Sequence, residues 1–427
     1  MLIMSKQYKL ENYRWPDGER FCHLLDVEIG LPHQPSLLYV TAKIRNKGLS
    51  LSAMQSAFNA IHVLLIHFQK QNIHIEQRFR KYSYLSPVEC EHLRRAAQTH
   101  MGPGTQATSV VVSLTEGKRG FKPKTKTVAS ATAYTRLTEM ANYLQWLAEE
   151  LGGPAMNSER IFEIERMRAN ILKLRPSVRS LGSDPEQSAW SAQDDALLHE
   201  IITPESDRNP FRETGTQIRN YLAIQIMRCA GKRKSEVLNI QARDIDLRRQ
   251  QLSIVRRPDI KLDPRLNQPR VKTREHTIAV TSEVIQLYQD YLVHRRGVPG
   301  ASKHPYLLVN HKAGPTQGQP MTKGALEEVF RTIKRSEPRL SHLHPHLLRH
   351  NFNDKLSETF DKRTGQRNED EETKVRANLN GWSEQSDMAK IYNKRHIDRK
   401  AREAGLKTQE TLAEAMKLKS SDKGDTT

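Results

Sequence analysis

Cysteine is scarce in this sequence. Three residues, Cys22, Cys90 and Cys229, are spread over 427 positions, which leaves neither a disulfide scaffold nor a cysteine-ligated zinc ribbon. Long apolar runs are missing too. The longest, around Val63–Ile66, is far too short to cross a bilayer, and Met1–Lys6 is too short for a signal-peptide core. Apolar residues make up 37% of the chain, a low share, yet a chain of this length can still close real cores. The expectation is a soluble, cytoplasmic protein of two or three domains, with no membrane partner. Acidic side chains are the minority: 49 against 68 basic ones, for a formal charge of +19. That balance points to a polyanionic partner.

The excess is unevenly placed. Residues 1–150 carry 19 basic and 12 acidic side chains, and residues 201–350 carry 27 and 14. Between them, residues 151–200 carry 6 and 8, and residues 351–427 are nearly balanced at 16 and 15. Two positive blocks thus flank an acidic stretch. Charge alone leaves open a merely solvated basic surface.

The first 35 or so residues read as turns and short strands. From about Leu49 the apolar positions Met54, Phe58, Ile61, Leu64, Leu65 and Phe68 recur at helical steps. Ser86-Pro87-Val88-Glu89 has the form of a capping box with proline in the first turn. Tyr134, Leu137, Ala141, Leu144, Ala148 and Leu151 predict a helix over Ala129–Leu151, ended by Gly152-Gly153-Pro154. A basic loop precedes it, carrying Lys118, Arg119, Lys122, Lys124 and Lys126. Residues 176–194 read as a linker. Beyond it, Gln217–Ala230 predicts a buried helix, Ile245–Val255 and Arg274–Val280 predict strands, and Ala325–Ile333 and Leu347–Leu356 predict helices. The excursion Arg257–Arg270 is rich in Pro, Asp and Asn. The final residues, 420–427, read as a disordered tail.

Four separated segments carry chemistry. In Gly231-Lys232-Arg233-Lys234-Ser235-Glu236 a glycine turn presents an arginine at a helix start, where its fork can meet a phosphate. In Val271-Lys272-Thr273-Arg274 a lysine precedes an alternating strand. His346 and Arg349 are three apart on a predicted helix and share a face. Trp382 is followed ten residues later by Tyr392 in a basic context. A zinc site built from His342, His344, His346 and His350 is the competing reading of the third segment, and it lacks a Cys or Glu at metalloenzyme spacing.

Taken in order, these motifs resemble the tyrosine recombinase (phage integrase) family. The resemblance implies a mainly α fold with a small antiparallel β-sheet. A helical core-binding, DNA-binding domain over 49–175 and a linker over 176–194 would precede an α+β catalytic domain of the DNA breaking-rejoining kind over 195–398. Residues 1–48 would form an extension of unclear role, and helix 399–419 would dock on a neighbouring protomer. The resemblance makes Arg233, Lys272, His346, Arg349, Trp382 and Tyr392 the catalytic set, with Tyr392 the nucleophile, Glu236 and His350 in support, and the 118–126 loop on DNA. It implies a homotetramer on two double-stranded DNA sites, accessory bending or directionality proteins, and a mobile-element setting.

The chemistry of the residues agrees. A phenol with pKa of about 10 needs a proton acceptor and a phosphorus made electrophilic by charge neutralisation. Arg and Lys can supply that charge, so neither a metal nor another cofactor is expected, and no Walker A loop or clustered carboxylates occur. Arg349 to Trp382 is longer than the family pattern, the surplus lying in the acidic stretch Phe360–Thr373, which reads as a loop. Arg233 to Lys272 is also long, and Lys261 is a rival for the lysine. The alternatives are a type IB topoisomerase or telomere-resolvase-like enzyme, or a catalytically silent DNA-binding regulator.

Overall fold

Alternating side chains in Tyr8–Arg14 and Arg20–Asp26 let one face of a hairpin turn inward. The computed structural model, which describes residues 8–100, 127–177, 190–362, 369–383, 386, 388, 401, 404–405 and 407–411, places these segments as strands β1 (Tyr8–Arg14) and β2 (Arg20–Asp26). With β3 (Leu31–Pro32) they form an antiparallel sheet in the order β1-β2-β3. The chain divides into two compact units, residues 1–181 and 182–427.

In the first unit, Phe21, Cys22 and Leu24 of β2 enter the same core as the helices. These are α1 (Gln34–Lys43), α2 (Leu51–Lys70), α3 (Ile75–Arg80), α4 (Pro87–Gln98), α5 (Ser130–Gly152) and α6 (Ser158–Lys173). By length and mean hydropathy α2 could span a membrane, but Met54, Phe58, Ile61, Leu64 and Phe68 are buried in this core. α4 begins with the capping box of Ser86 and Glu89. The buried arc of α5 is wider than the expected stripe. Met140, Tyr143, Trp146 and Leu147 join Leu137, Ala141, Leu144 and Ala148 inside, because α2, α3, α4 and α6 all pack on it.

The second unit starts earlier than the linker reading 176–194 allows. Ser191 caps α7 (Ala192–Ile202) in a capping box with Asp194. Its core surrounds α8 (Thr214–Ala230), where Leu222, Ala223, Ile224, Ile226 and Met227 are all buried. Helix α9 (Lys234–Val237) follows at once. Ile245–Val255 is not one strand. Asp246 accepts hydrogen bonds from the backbone N–H of Arg248 and Arg249, and Gln250 takes a φ of 50°, so the segment folds into a hairpin of β4 (Ile245–Asp246) and β5 (Gln251–Ile254). β6 (His276–Ala279) completes an antiparallel sheet in the order β4-β5-β6.

The Arg257–Arg270 excursion is folded in rather than loose. Arg257 pairs with Asp244 and Arg265 with Asp263, all four buried, and Arg265 also donates to the carbonyls of Leu238 and Met321. Helices α10 (Ser282–Arg296), α11 (Lys323–Ser336), α12 (Pro345–Asp361) and α13 (Glu369–Asn380) complete the unit. The acidic stretch expected as a loop is instead the end of α12 and the start of α13, with 363–368 outside the described residues. Glu372 lies buried against Arg376 (2.6 Å), and Ser357 of α12 joins them. Most of the predicted helix 399–419 and all of 420–427 lie outside the described residues; those of 401–411 that are described are helical.

Asp195 ties α7 to α8 and α12. It accepts from Trp190 (3.1 Å), from Arg228 (2.7 Å) and from Lys355 (2.9 Å). Burial pushes its carboxyl up, but Arg228, Lys355 and Trp190 outweigh burial and hold it well below the usual carboxylate range. Asp195→Asn should therefore cost on the order of 3 kcal/mol in denaturant unfolding at neutral pH. The depressed folded-state pKa sets the sign: the gap to wild type is full above about pH 3.9, the unfolded value, and narrows as pH falls below it.

Candidate active site

A left-handed glycine ends α8. Gly231 has a φ of 62°, and a Cβ there would run into the Phe352 ring of α12. The chain then extends through Arg233, whose backbone N–H donates to Glu236 Oε2 (2.8 Å) and whose Nη1 donates to Glu236 Oε1 (3.1 Å). Glu236 is 1% exposed. From α12, the fully buried Arg349 donates from Nη1 to the Gly231 carbonyl (2.6 Å) and lies 3.7 Å from Glu236 Oε2. Thr273, the residue after Lys272, donates from its hydroxyl to Glu236 Oε1 (3.0 Å). One buried carboxylate thus gathers Arg233, Arg349 and the Lys272 segment. Burial pushes the Glu236 carboxyl up, and the charges of Arg349, Arg233 and Lys232, with the Arg233 N–H, more than reverse it, so the group stays ionised.

Around that buried centre, several expected residues reach the surface. The Arg233 side chain is 30% exposed, and Lys272 and His346 are exposed. His346 lies on the first turn of α12, its ring centroid 4.2 Å from that of His350. His344 is the cap of this helix and accepts from the Leu347 N–H (3.1 Å). Trp382 is 4% exposed, packs against Ala377 and Met388, and places its ring 5.3 Å from the Arg349 guanidinium carbon. Arg233, Arg349 and Thr273 thus meet at Glu236, with the Trp382 ring against Arg349, while His346 lies one helical turn before Arg349 on α12 and Lys272 immediately precedes Thr273. Tyr392 and the loop residues Lys118, Arg119, Lys122, Lys124 and Lys126 lie outside the described residues. Among the described residues no group of three or more His, Cys, Asp or Glu is placed to hold a metal ion.

Sequence reasoning passed over Lys232, His276, Arg274 and Gly381. Lys232 is fully buried, its Nζ 2.8 Å from His276 Nε2 and 2.5 Å from the Leu379 carbonyl. The Arg274 N–H donates to the Gly381 carbonyl (2.8 Å), and its Nη2 donates to the Trp382 carbonyl (2.5 Å). Gly381 has a φ of 64°, and a Cβ on it would collide with the His276 ring. One signal was available: His276 shares a strand face with buried Ile278.

Chemically, the arrangement is a largely buried cationic pair with a fixed counter-charge. Two guanidinium groups that would repel each other are held in register by one carboxylate, without a step of reorganisation. The ammonium of Lys272 and the imidazole of His346, both exposed, are groups that can move protons.

Residues 203–366 match the family model described as the phage integrase family, a segment that contains Arg233, Lys272, His346 and Arg349 and stops short of Trp382. The tyrosine recombinase XerC of Staphylococcus aureus (strain USA300 / TCH1516) is 24% identical over 140 residues, which is 33% of this chain and 40% of XerC. The chain thus spans well under half the length of the curated relatives it matches. Among solved structures, the XerH site-specific recombinase bound to a palindromic difH substrate superposes with a TM-score of 0.51 at 15% identity, covering 88% of this chain and 85% of XerH. That likeness shows a shared fold, mainly α with small antiparallel sheets. Through its matched segment, this chain is similar to the phage integrase family of tyrosine recombinases.

Proposed function

We propose that the protein is a site-specific DNA recombinase that cleaves and rejoins strands of double-stranded DNA through a 3′-phosphotyrosyl intermediate. The observation that carries this reading is Glu236 buried between Arg233 and Arg349, with the segment of Lys272 hydrogen-bonded to the same carboxylate. In the proposed step Tyr392 Oη attacks phosphorus while the bond from phosphorus to the 5′ oxygen breaks. His346 takes the phenol proton, and Lys272 gives a proton to the leaving 5′ oxygen. Arg233 and Arg349 hold the non-bridging oxygens as charge builds, and Trp382 buttresses the site. Glu236 orients the arginines, and His350 supports His346. Rejoining runs the same exchange backwards, one phosphodiester for another, so no nucleotide is consumed.

Double-stranded DNA is the proposed partner, gripped by the catalytic unit and by the basic loop with Lys118, Arg119, Lys122, Lys124 and Lys126. A homotetramer on two sites, with helix 399–419 docked on a neighbouring protomer and accessory bending or directionality proteins, completes the proposal. So does a cytoplasmic, nucleoid-associated setting on a mobile element. Phosphate contacts make binding weaken steeply with salt.

The test is a nicked suicide duplex carrying the target site, incubated with the full chain. The expected product is a covalent adduct that survives denaturing electrophoresis and maps by mass spectrometry to Tyr392, with a free 5′ hydroxyl on the other fragment. Specific binding without any adduct would instead identify a silent regulator. Relaxation of supercoiled DNA without synapsis of two sites would identify a topoisomerase.

A further inference from the structure

Lys232 is buried and His276 half-buried beside Arg233 and the Lys272 strand, and the proposed chemistry uses neither. Burial first, then the charges of Arg349 and Arg233, lower the Lys232 pKa to about 7 against the pull of Glu236. A cation is therefore costly here, and a leucine or methionine of similar size would fill the space without that cost. The geometry explains its presence. His276 Nδ1 lies 2.9 Å from the Arg274 carbonyl, which can only accept, so Nδ1 carries the proton and Nε2 presents its lone pair. Lys232 Nζ then donates to both His276 Nε2 and the Leu379 carbonyl. Burial and the neighbouring Lys232 charge lower the His276 pKa, which keeps the ring neutral and Nε2 able to accept.

These bonds span three parts of the fold. Lys232 sits beside Arg233 on the turn into α9, His276 opens β6 four residues after Lys272, and Leu379 is in the last turn of α13, three residues before Trp382. The Arg274–Gly381 and Arg274–Trp382 bonds and the missing Cβ of Gly381 close the same seam.

We propose that Lys232 and His276 form a latch that locks the Lys272-bearing strand and the Gly381-Trp382 corner to the arginine turn, making both positioning residues for strand cleavage. Neither touches DNA in this role. A displacement of about 1 Å among groups that share one phosphate costs up to about a hundredfold in rate, so the latch should register in the rate constant and not in affinity.

The proposal rests on the recombinase reading only for its rate measurement. His276→Leu removes both ring contacts, whereas His276→Gln keeps them, since its amide can donate to the Arg274 carbonyl and accept from Lys232. On the suicide duplex at saturating protein, His276→Leu should slow adduct formation by about ten- to a hundredfold with the DNA Kd within twofold. His276→Gln should recover most of the rate. Lys232→Met should match His276→Leu, and the double variant should be no slower than either single one. A second readout needs no catalysis: amide exchange at Arg274, whose N–H is bonded to Gly381, should accelerate in His276→Leu and return to wild type in His276→Gln. Wild-type rate in His276→Leu, or Gln no better than Leu in both readouts, overturns the latch. If the wild-type protein forms no adduct, the recombinase reading fails, and the exchange measurement alone decides the latch.

Discussion

Tyr392→Phe is expected to abolish the covalent adduct, lowering strand cleavage on the order of 10⁴-fold or more, while DNA affinity stays within a few-fold. Loss of one hydroxyl removes the only atom that can form the phosphotyrosyl bond, and the charges that grip DNA are untouched. Rejoining offers a sharper form of the experiment. Supplied with a synthetic 3′-phosphotyrosine-mimic strand end, in which the phenol is already the leaving group, the Tyr392→Phe protein should still catalyse ligation to a 5′ hydroxyl. The arginines, His346 and Lys272 proposed for that half-reaction remain. Adduct formation by the Phe variant would assign the nucleophile elsewhere.

The second large effect is expected at Arg349. Its guanidinium is fully buried, fixed by the Gly231 carbonyl at 2.6 Å and by the Glu236 carboxylate at 3.7 Å. Truncation to alanine would strand Glu236 with less counter-charge in the interior, at about 3–5 kcal/mol in stability, and would confuse folding with chemistry. Arg349→Lys avoids this. It keeps the positive charge near Glu236 but loses the planar fork, so it cannot bond the Gly231 carbonyl and a phosphate oxygen in the same geometry. Cleavage should fall by about 10²–10³-fold, the cost of one lost oxyanion donor, with Tm changed by only a few degrees and DNA affinity nearly retained. An Arg349→Lys protein that cleaves within tenfold of wild type would remove Arg349 from the phosphate clamp.

The motif residues were legible because their types are improbable in order: an arginine at a glycine turn, a histidine three before an arginine, a tryptophan ten before a tyrosine. Helix starts were legible where the cap is local, as at Ser86. What stayed hidden depends on distant chain. Lys232 sits in a Lys-Arg-Lys run that reads as solvated, and its partners in the folded chain, the His276 ring and the Leu379 carbonyl, arrive from 44 and 147 residues downstream. His276 carried a faint signal, its strand face shared with Ile278, but no sequence rule names Lys232 as its partner. The Arg257–Arg270 excursion looks like a loop by composition. Its charges pair with each other and with Asp244, and composition cannot report pairing. Ile245–Val255 kept enough alternation to read as one strand, while the turn at Asp246 depends on a single side chain accepting two backbone bonds.

The hairpin of β1 and β2 bears on how the molecule can be taken apart. Phe21, Cys22 and Leu24 are inside the core that α2 and α5 share, and Arg45 holds Glu19 at 2.6 Å. A fragment cloned from residue 49 onward would bare that side of α2. Each large side chain stripped of its cover forfeits roughly 1.5–3 kcal/mol, and insoluble protein is the foreseeable yield. An expression boundary for the first unit belongs before Tyr8, and a functional screen of shortened fragments that begins at the helices would mistake misfolding for a missing DNA contact.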